Sequence, residues 1–538
     1  MTTWDYIIVG AGSAGCVLAN RLSEDPDVRV LLLEAGPPDA ADFIHIPAAF
    51  TALFRSENDW DLGTGLEPGL EDRRVYLPRG RTLGGSSSLN AMIYIRGNPL
   101  DYDEWRDQGC DGWGWDDLLP YFLKAEDNTR GASDLHGAGG PLRVSDTLAR
   151  TGLSQAFVDA GAALGLPASQ DFNGPSQEGI GWYQLTTRDG KRGSTAVSYL
   201  HPVLERPNLQ VETWFQAHRV RFDGTRAVGV VGARLGEVQE HRAEREVVLA
   251  AGAYLSPHLL TLSGLGRPAE LALLQVPVVA ELPGVGLGLQ DHPATPVSWT
   301  CDAPVSLKDA FTPDNLALWL RDGGGPLASN GVECGGFLRT RDDLPVPDVQ
   351  LHMVSAIYEQ EGLVPPPAHG FTVATCVLKP ASRGQVAVVS PDPTTKPFIV
   401  HNYYAEPEDL RTAVAGLRLA VELCRTEPLA GFASAPHLAP ASDRDEDLEA
   451  YVRHTTQTLY HPTSTCRMGV DDLAVVDPEL RVRGVEGLRV VDASVLPSVP
   501  RGNTNAPTIA VAERAADLIR GRVAPSTVLG ASAPRQPA

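Results

Sequence analysis

Apolar and polar positions along this chain of 538 residues fall into two kinds of pattern, and their order predicts an α/β fold. Trp4-Asp5-Tyr6-Ile7-Ile8-Val9 is a short apolar run that ends on Gly10, passes through Gly12 and Gly15, and continues into a helical stretch from Cys16 to Leu22. Val28-Arg29-Val30-Leu31-Leu32-Leu33-Glu34 follows as a second apolar run. Short runs apolar on both faces suit buried parallel strands, so strand, helix and strand in this order predict a βαβ unit. The strand-to-helix pattern recurs twice. Glu246 to Gly252 precedes a helix opening at Ser256-Pro257, and Leu488 to Asp492 precedes, across a Pro- and Gly-rich loop, a helix opening at Pro507. Leu209 to Arg242 alternates around Asp223-Gly224 as an antiparallel meander does, and between about 300 and 455 runs such as Phe371 to Thr375 and Gly384 to Val389 predict a separate antiparallel sheet. The three strand-to-helix blocks are expected to form one nucleotide-binding domain assembled from distant segments.

Gly10, Gly12 and Gly15 have the G-x-G-x-x-G spacing between a strand and a helix. There the glycines allow a tight turn, close backbone approach to a pyrophosphate and close packing of helix on strand, with the helix N-terminus facing the phosphates. Glu34, nineteen residues after Gly15 at the end of the second strand, is placed to accept hydrogen bonds from ribose hydroxyls. The motif by itself does not separate FAD from NAD. A second glycine-rich loop, Arg79-Gly80-Arg81-Thr82-Leu83-Gly84-Gly85-Ser86-Ser87-Ser88-Leu89-Asn90-Ala91-Met92, leaves backbone N–H groups and hydroxyls free to meet a phosphate or a polar ring edge.

Composition narrows the class. Lys and Arg total 45 against 67 Asp and Glu, a net charge of −22, so neither a nucleic acid nor an anionic membrane is an expected partner. Seven scattered cysteines without C-x-x-C spacing argue against a disulfide framework or a zinc site, and no metal is expected. The first strand starts about four residues into the chain and no apolar run approaches the roughly 20 residues of a bilayer span, so a cytoplasmic protein is expected.

With the second glycine loop the chain resembles the glucose–methanol–choline (GMC) family of FAD-dependent alcohol oxidoreductases. Gly252-Ala253-Tyr254-Leu255-Ser256-Pro257-His258-Leu259-Leu260-Thr261-Leu262-Ser263-Gly264-Leu265-Gly266 resembles the second family signature. Further matches lie at Asp171 to Gly174, Lys191 to Ala196, Gln290-Asp291-His292-Pro293, Tyr460-His461-Pro462 and Gly502-Asn503-Thr504-Asn505. The resemblance implies a Rossmann-like FAD-binding domain from 1–155, 205–299 and 456–522, a substrate-binding domain on an antiparallel sheet packed with helices from 156–204 and 300–455, and a disordered tail at 523–538. It implies that Gly10, Gly12, Gly15 and Glu34 hold the ADP half of FAD, with Val220 against the adenine through its backbone. Gly84, Gly85, Asn90 and Ala91 would meet the pyrophosphate and flavin, and Asp492, Thr504 and the following helix N-terminus the ribityl and pyrimidine end. A helix N-terminus there has a physical reason, because reduced flavin carries negative charge on that edge.

The implied reaction is oxidation of the CH–OH group of a primary alcohol, with His461 as base and Asn505 as second catalytic residue. An unperturbed histidine, with a pKa of about 6.5, is largely neutral near pH 7 and able to take a proton. Trp60, Tyr358 and Tyr460 are expected as aromatic walls of the substrate pocket. His292 is expected to be structural, and Cys466 small and buried. Some family members attach FAD through a histidine where this chain has Leu89, so non-covalent FAD is expected. Choline-oxidising members carry a pocket Glu where this chain has Ala294, so an uncharged alcohol is expected, with choline dehydrogenase proper as an alternative. A hydroxynitrile lyase-type enzyme on the same FAD scaffold is a further alternative. The electron acceptor is expected to be oxygen or a quinone- or dye-like compound.

Overall fold

The computed structural model describes residues 3–523 and Pro525. The tail expected at 523–538 lies outside them except for Val523 and Pro525.

The chain opens with β1 (Thr3–Val9), α1 (Ser13–Leu22) and β2 (Val30–Leu33), and returns to the same sheet with β3 (Leu209–Glu212), β4 (Phe215–Asp223), β5 (Arg226–Arg234) and β6 (Glu237–Leu249). After α2 (Gly252–Leu262), the end of the chain adds β7 (Leu488–Val490) and α3 (Asn505–Ile519). The seven strands run in the order β3-β2-β1-β6-β5-β4, with β7 on β6. β6 has two functions. Its first half pairs antiparallel with β5, and its second half lies parallel to β1 on one side and β7 on the other. The fully buried Val247, Val248 and Leu249 belong to this parallel half, as the apolar pattern requires.

Two glycines fix the first turn. Gly10 has φ +103°, and a Cβ on it would lie 2.5 Å from the Ala250 carbonyl oxygen. A Cβ on Gly15 would lie 1.8 Å from the Gly10 carbonyl oxygen, so α1 rests directly on the turn. α3 packs beside α1, and the ion pair between Arg21 and the buried Glu513 (2.7 Å) joins the two ends of the chain.

The second sheet has eight strands, with Ala435–Leu438, Pro293–Thr300, Gly370–Val377, Val349–Val354, Cys334–Leu338, Gly179–Trp182 and Ala168–Ser169 in that spatial order and Gln457–Thr458 on Pro293–Thr300. Along Val349–Val354 the period-2 alternation divides the sheet's faces. Val349, Leu351 and Met353 share a core with Leu417 and Val421 of helix Pro407–Cys424. His352 and Val354 instead line a cavity between the two sheets.

Two segments depart from the expected division. Pro293–Thr300 belongs to the second sheet although the first unit was expected to run to 299. Ala196, Tyr199 and Leu200 pack in the core of the first sheet although 156–204 was expected in the second unit. Alternation shows that a segment is a strand, or packs on one, but not which sheet receives it. Among the described residues no helix is long and apolar enough to cross a membrane, and no His, Cys, Asp and Glu group could hold a metal ion.

Candidate active site

The cavity between the sheets has a volume of about 560 Å³ and extends from Gly10, Gly12 and Glu34 at one end to His461 and Asn503 at the other. At the first end the two glycine loops meet back to back. Gly84 N–H donates to the Ala11 carbonyl at 2.7 Å, and a Cβ on Gly85 would lie 2.6 Å from Gly12 Cα. Gly85, Asn90 and Ala91 line the cavity, whereas Gly84 and Gly15 support it from behind. Glu34 accepts from Ala11 N–H and Gly36 N–H, both at 2.9 Å, and its burial pushes the carboxyl up to about 7 against these donors. It therefore fixes the loop while remaining on the cavity wall. Asn90 is held by Arg192, whose Nη1 donates to its carbonyl at 2.6 Å and its Oδ1 at 2.8 Å.

Asp492, at the end of β7, accepts from Gly252 N–H at 2.9 Å, Ser256 Oγ at 2.5 Å and Ser494 N–H at 2.8 Å, and ties β7 to the start of α2. Burial raises its pKa. Thr504 caps α3 and lines the cavity beside Asn505 and Thr508, opposite Ser13 and Ala14 of α1. Two helix N-termini thus face one elongated space whose wall lacks side chains at Gly10, Gly12 and Gly85. This arrangement fits a dinucleotide carrying negative charge.

Val220 is not part of that wall. It is buried, pairs with Val230 and gives its N–H to Ser263 Oγ at 2.8 Å; Phe215, Gln216 and Ala217 of the same strand line the cavity instead. A register shift between Ala217 and Arg219 separates them, a bulge that the sequence pattern does not reveal.

At the other end His461 is only 7% exposed. Its backbone N–H donates to Asp291 Oδ1 at 2.7 Å, while Asp291 Oδ2 accepts from the Tyr403 and Thr458 hydroxyls, both at 2.5 Å. The ring is held between His292 Nδ1, 2.9 Å from its Nδ1, and Asn503 Nδ2, 3.1 Å from its Nε2. Burial, followed by His292, His352 and Arg79 nearby, holds its pKa well below the ordinary value, so the ring is neutral and able to accept a proton.

The residue beside His461 is Asn503, not Asn505 as expected. Asn505 is the first residue of α3, and its Oδ1 accepts from Ser13 Oγ at 2.7 Å. Two asparagines in Gly502-Asn503-Thr504-Asn505 fit the same pattern, and only the helix start decides between them. Trp60, Tyr358 and Tyr460 do line the cavity; the two tyrosine hydroxyls are 2.8 Å apart, and the Arg81 guanidinium lies 5.2 Å from the Trp60 ring centre.

Ala294 is not on the wall. It is fully buried in an apolar cluster with Met92, Ile93 and Val332, which are themselves wall residues, so it stands one layer back. Sequence reasoning missed His352, which lines the cavity with neither ring nitrogen paired and whose burial pushes it down to about 3. Its place as a polar position in the alternation Val349-Gln350-Leu351-His352-Met353 was the available signal. Cys466 is buried and free.

The family model of GMC oxidoreductases matches residues 4–294 and 380–512. The oxygen-dependent choline dehydrogenase of Burkholderia cenocepacia (strain HI2424) is 46% identical over 538 residues, covering 97% of this chain and 94% of that protein. The mitochondrial choline dehydrogenase of Mus musculus is 44% identical over 537 residues, covering 97% and 90%. Among solved structures, pyridoxine 4-oxidase from Mesorbium loti superposes with a TM-score of 0.89 at 32% identity, covering 97% of this chain and 100% of that one. A formate oxidase does so at 0.90 and 27%, covering 97% and 98%.

Proposed function

Since the chain belongs to the GMC oxidoreductase family and carries out FAD-dependent oxidation of alcohols, we propose that its substrate is an uncharged primary alcohol and that His461 takes the hydroxyl proton. The observation that carries this reading is the pair His461 Nε2 and Asn503 Nδ2, 3.1 Å apart on the cavity wall. An alcohol oxygen lying against both would lose its proton to the ring nitrogen and accept from the amide. FAD, when bound, supplies the acceptor for the hydride. Gly10, Gly12, Gly85, Glu34, Asp492 and Thr504 would hold it without a covalent bond, since Leu89 offers no nucleophile.

The wall chemistry supports a neutral substrate. Three acidic residues line the cavity: Glu34, Asp59 and Asp492. Glu34 and Asp492 belong to the dinucleotide end. Asp59 is committed, with Oδ2 accepting from Arg55 N–H and the Tyr76 hydroxyl, and Oδ1 from Asp61 N–H and Arg79 N–H. A quaternary ammonium would depend on aromatic faces such as Trp60 and Tyr460, worth about 0.5 to 2 kcal/mol.

A cofactor-binding unit on the first sheet and a substrate-binding unit on the second belong to this reading, with Ala196 to Leu200 in the first and Pro293–Thr300 in the second, as does the electron acceptor: oxygen, or a quinone- or dye-like small molecule. The oxygen dependence named for the Burkholderia choline dehydrogenase supports oxygen. Seven free, buried cysteines support a reducing compartment such as the cytoplasm. The test is kcat/KM for benzyl alcohol, hexanol and choline, each assayed with oxygen and with a dye. Higher values for the neutral alcohols are expected, and a higher value for choline would overturn the neutral-substrate reading in favour of choline dehydrogenase.

A further inference from the structure

His292 stands behind the cavity wall against His461, and its hydrogen bonds have one consistent direction. Its Nε2 is 3.0 Å from the Leu378 carbonyl oxygen. A carbonyl only accepts, so Nε2 of His292 carries a proton. Burial pushes His292 down to about 4, so the ring is neutral and its Nδ1 is bare. The partner of that bare nitrogen, 2.9 Å away, is His461 Nδ1, which must therefore carry the proton. A neutral His461 protonated at Nδ1 has a bare Nε2.

The other side of His461 gives the same answer independently. The Tyr183 hydroxyl donates to the Leu351 carbonyl at 2.6 Å, so it accepts from Gln350 Nε2 at 3.2 Å. The same Gln350 Nε2 lies 3.3 Å from Asn503 Oδ1, which assigns that atom as the amide oxygen and turns Nδ2 toward His461 Nε2. An amide N–H there requires an acceptor, again a bare Nε2. Two backbone carbonyls, Leu351 on strand Val349–Val354 and Leu378 just past the end of its neighbour Gly370–Val377, thus direct the proton positions along this row of side chains.

We propose that His292 is a positioning residue that fixes His461 as the Nδ1-protonated tautomer, so that Nε2 is ready to take the alcohol proton before substrate arrives. The inference rests on the reading of His461 as base. When the hydroxyl proton passes to Nε2, His461 becomes an imidazolium, and its Nδ1–H remains bonded to His292 Nδ1. The charged and titratable groups around the pair are Asp291, which holds the His461 backbone, His352, Arg79, and, nearer His292, Asp101 and Lys379.

Holoenzyme labelled with [15N]histidine tests the tautomer directly, with His461 assigned from the signal lost in His461→Gln. Two-bond 1H–15N correlations at neutral pH should show His461 Nδ1 protonated and Nε2 bare. A protonated Nε2 would overturn the proposal whatever the kinetics show, while leaving the neutral-substrate reading intact. In rapid-mixing experiments His292→Phe, which has no acceptor, should slow flavin reduction on the order of 10- to 100-fold at unchanged KM, a part of the roughly 10⁴-fold cost of a wrong tautomer in a Ser-His-Asp triad. His292→Asn, whose Oδ1 is able to accept from His461 Nδ1–H, should recover most of that loss. A wild-type rate in His292→Phe, or an equal loss in both variants, would reduce His292 to packing.

Discussion

Asn503 Nδ2 stands 3.1 Å from His461 Nε2, whereas Asn505, two residues further on, is turned away to Ser13. The two asparagines therefore separate in function. Asn503→Ala should slow flavin reduction about 10- to 100-fold, since a hydrogen bond to a charge-developing group is worth roughly 1.5–3 kcal/mol. Asn505→Ala should leave that rate nearly unchanged and instead lower FAD affinity, because it unties two helix N-termini. Stopped-flow reduction and FAD titration of both variants check this, and the reverse pattern would return Asn505 to the catalytic position.

His461→Ala should bind FAD normally and reduce it on the order of 10²- to 10⁴-fold more slowly, the usual contribution of a positioned base. An absorbance spectrum establishes that FAD is bound, and anaerobic mixing with alcohol gives the rate. Reduction at the wild-type rate would remove His461 from the chemistry.

FAD should leave the protein on acid or heat denaturation, because Leu89 occupies the position where attachment would need a nucleophile. The yellow colour is expected in the supernatant. Flavin remaining in the precipitate would show a covalent link elsewhere.

Gly10→Ala should give protein with little or no FAD. The substitution demands φ near +103° and places a methyl 2.5 Å from the Ala250 carbonyl oxygen, on rigid backbone. The ratio of flavin to protein absorbance measures the loss. A full complement of FAD would mean that the turn relaxes at no cost to the cradle.

Stability should fall on the alkaline side through His136. Burial lowers its pKa, but hydrogen bonds to Asp171 (2.7 Å) and Glu126 (3.2 Å) outweigh this and raise it to about 9. A histidine raised above its unfolded value of about 6.5 stabilises fully below that pH and loses its contribution as the pH rises through about 9. Tm should therefore decline between pH 7 and 9.5, and more shallowly in His136→Gln. The same slope in both proteins would exclude this histidine as the cause.

The βαβ unit, both glycine loops and His461 were legible because each depends on local order: strand, turn, helix, or a histidine within a short motif. What was not legible depends on register or on contacts between distant segments. Val220 was expected at the cavity, but the register shifts after Ala217 and it is Phe215, Gln216 and Ala217 of that strand that reach the wall. Ala294 was expected on the wall, but Met92 and Ile93, some 200 residues earlier in the chain, lie in the layer that faces the cavity. His292 was expected to be structural, and it is fully buried between His461 and the Leu378 carbonyl; which carbonyl a ring nitrogen meets is not written in the sequence.

The sheet that carries the cofactor loops takes its first strand from residues 3–9 and its last from 488–490, and the helix that closes the cradle ends at Ile519. A ribosome delivers these pieces in that order. The first glycine turn emerges early, but the wall formed by Asp492, Thr504 and Asn505 exists only once the chain is out through about residue 505, and Arg21 waits for Glu513. A nascent chain released before about residue 505 would accordingly have the fingerprint of a flavoprotein without a completed place to hold the flavin.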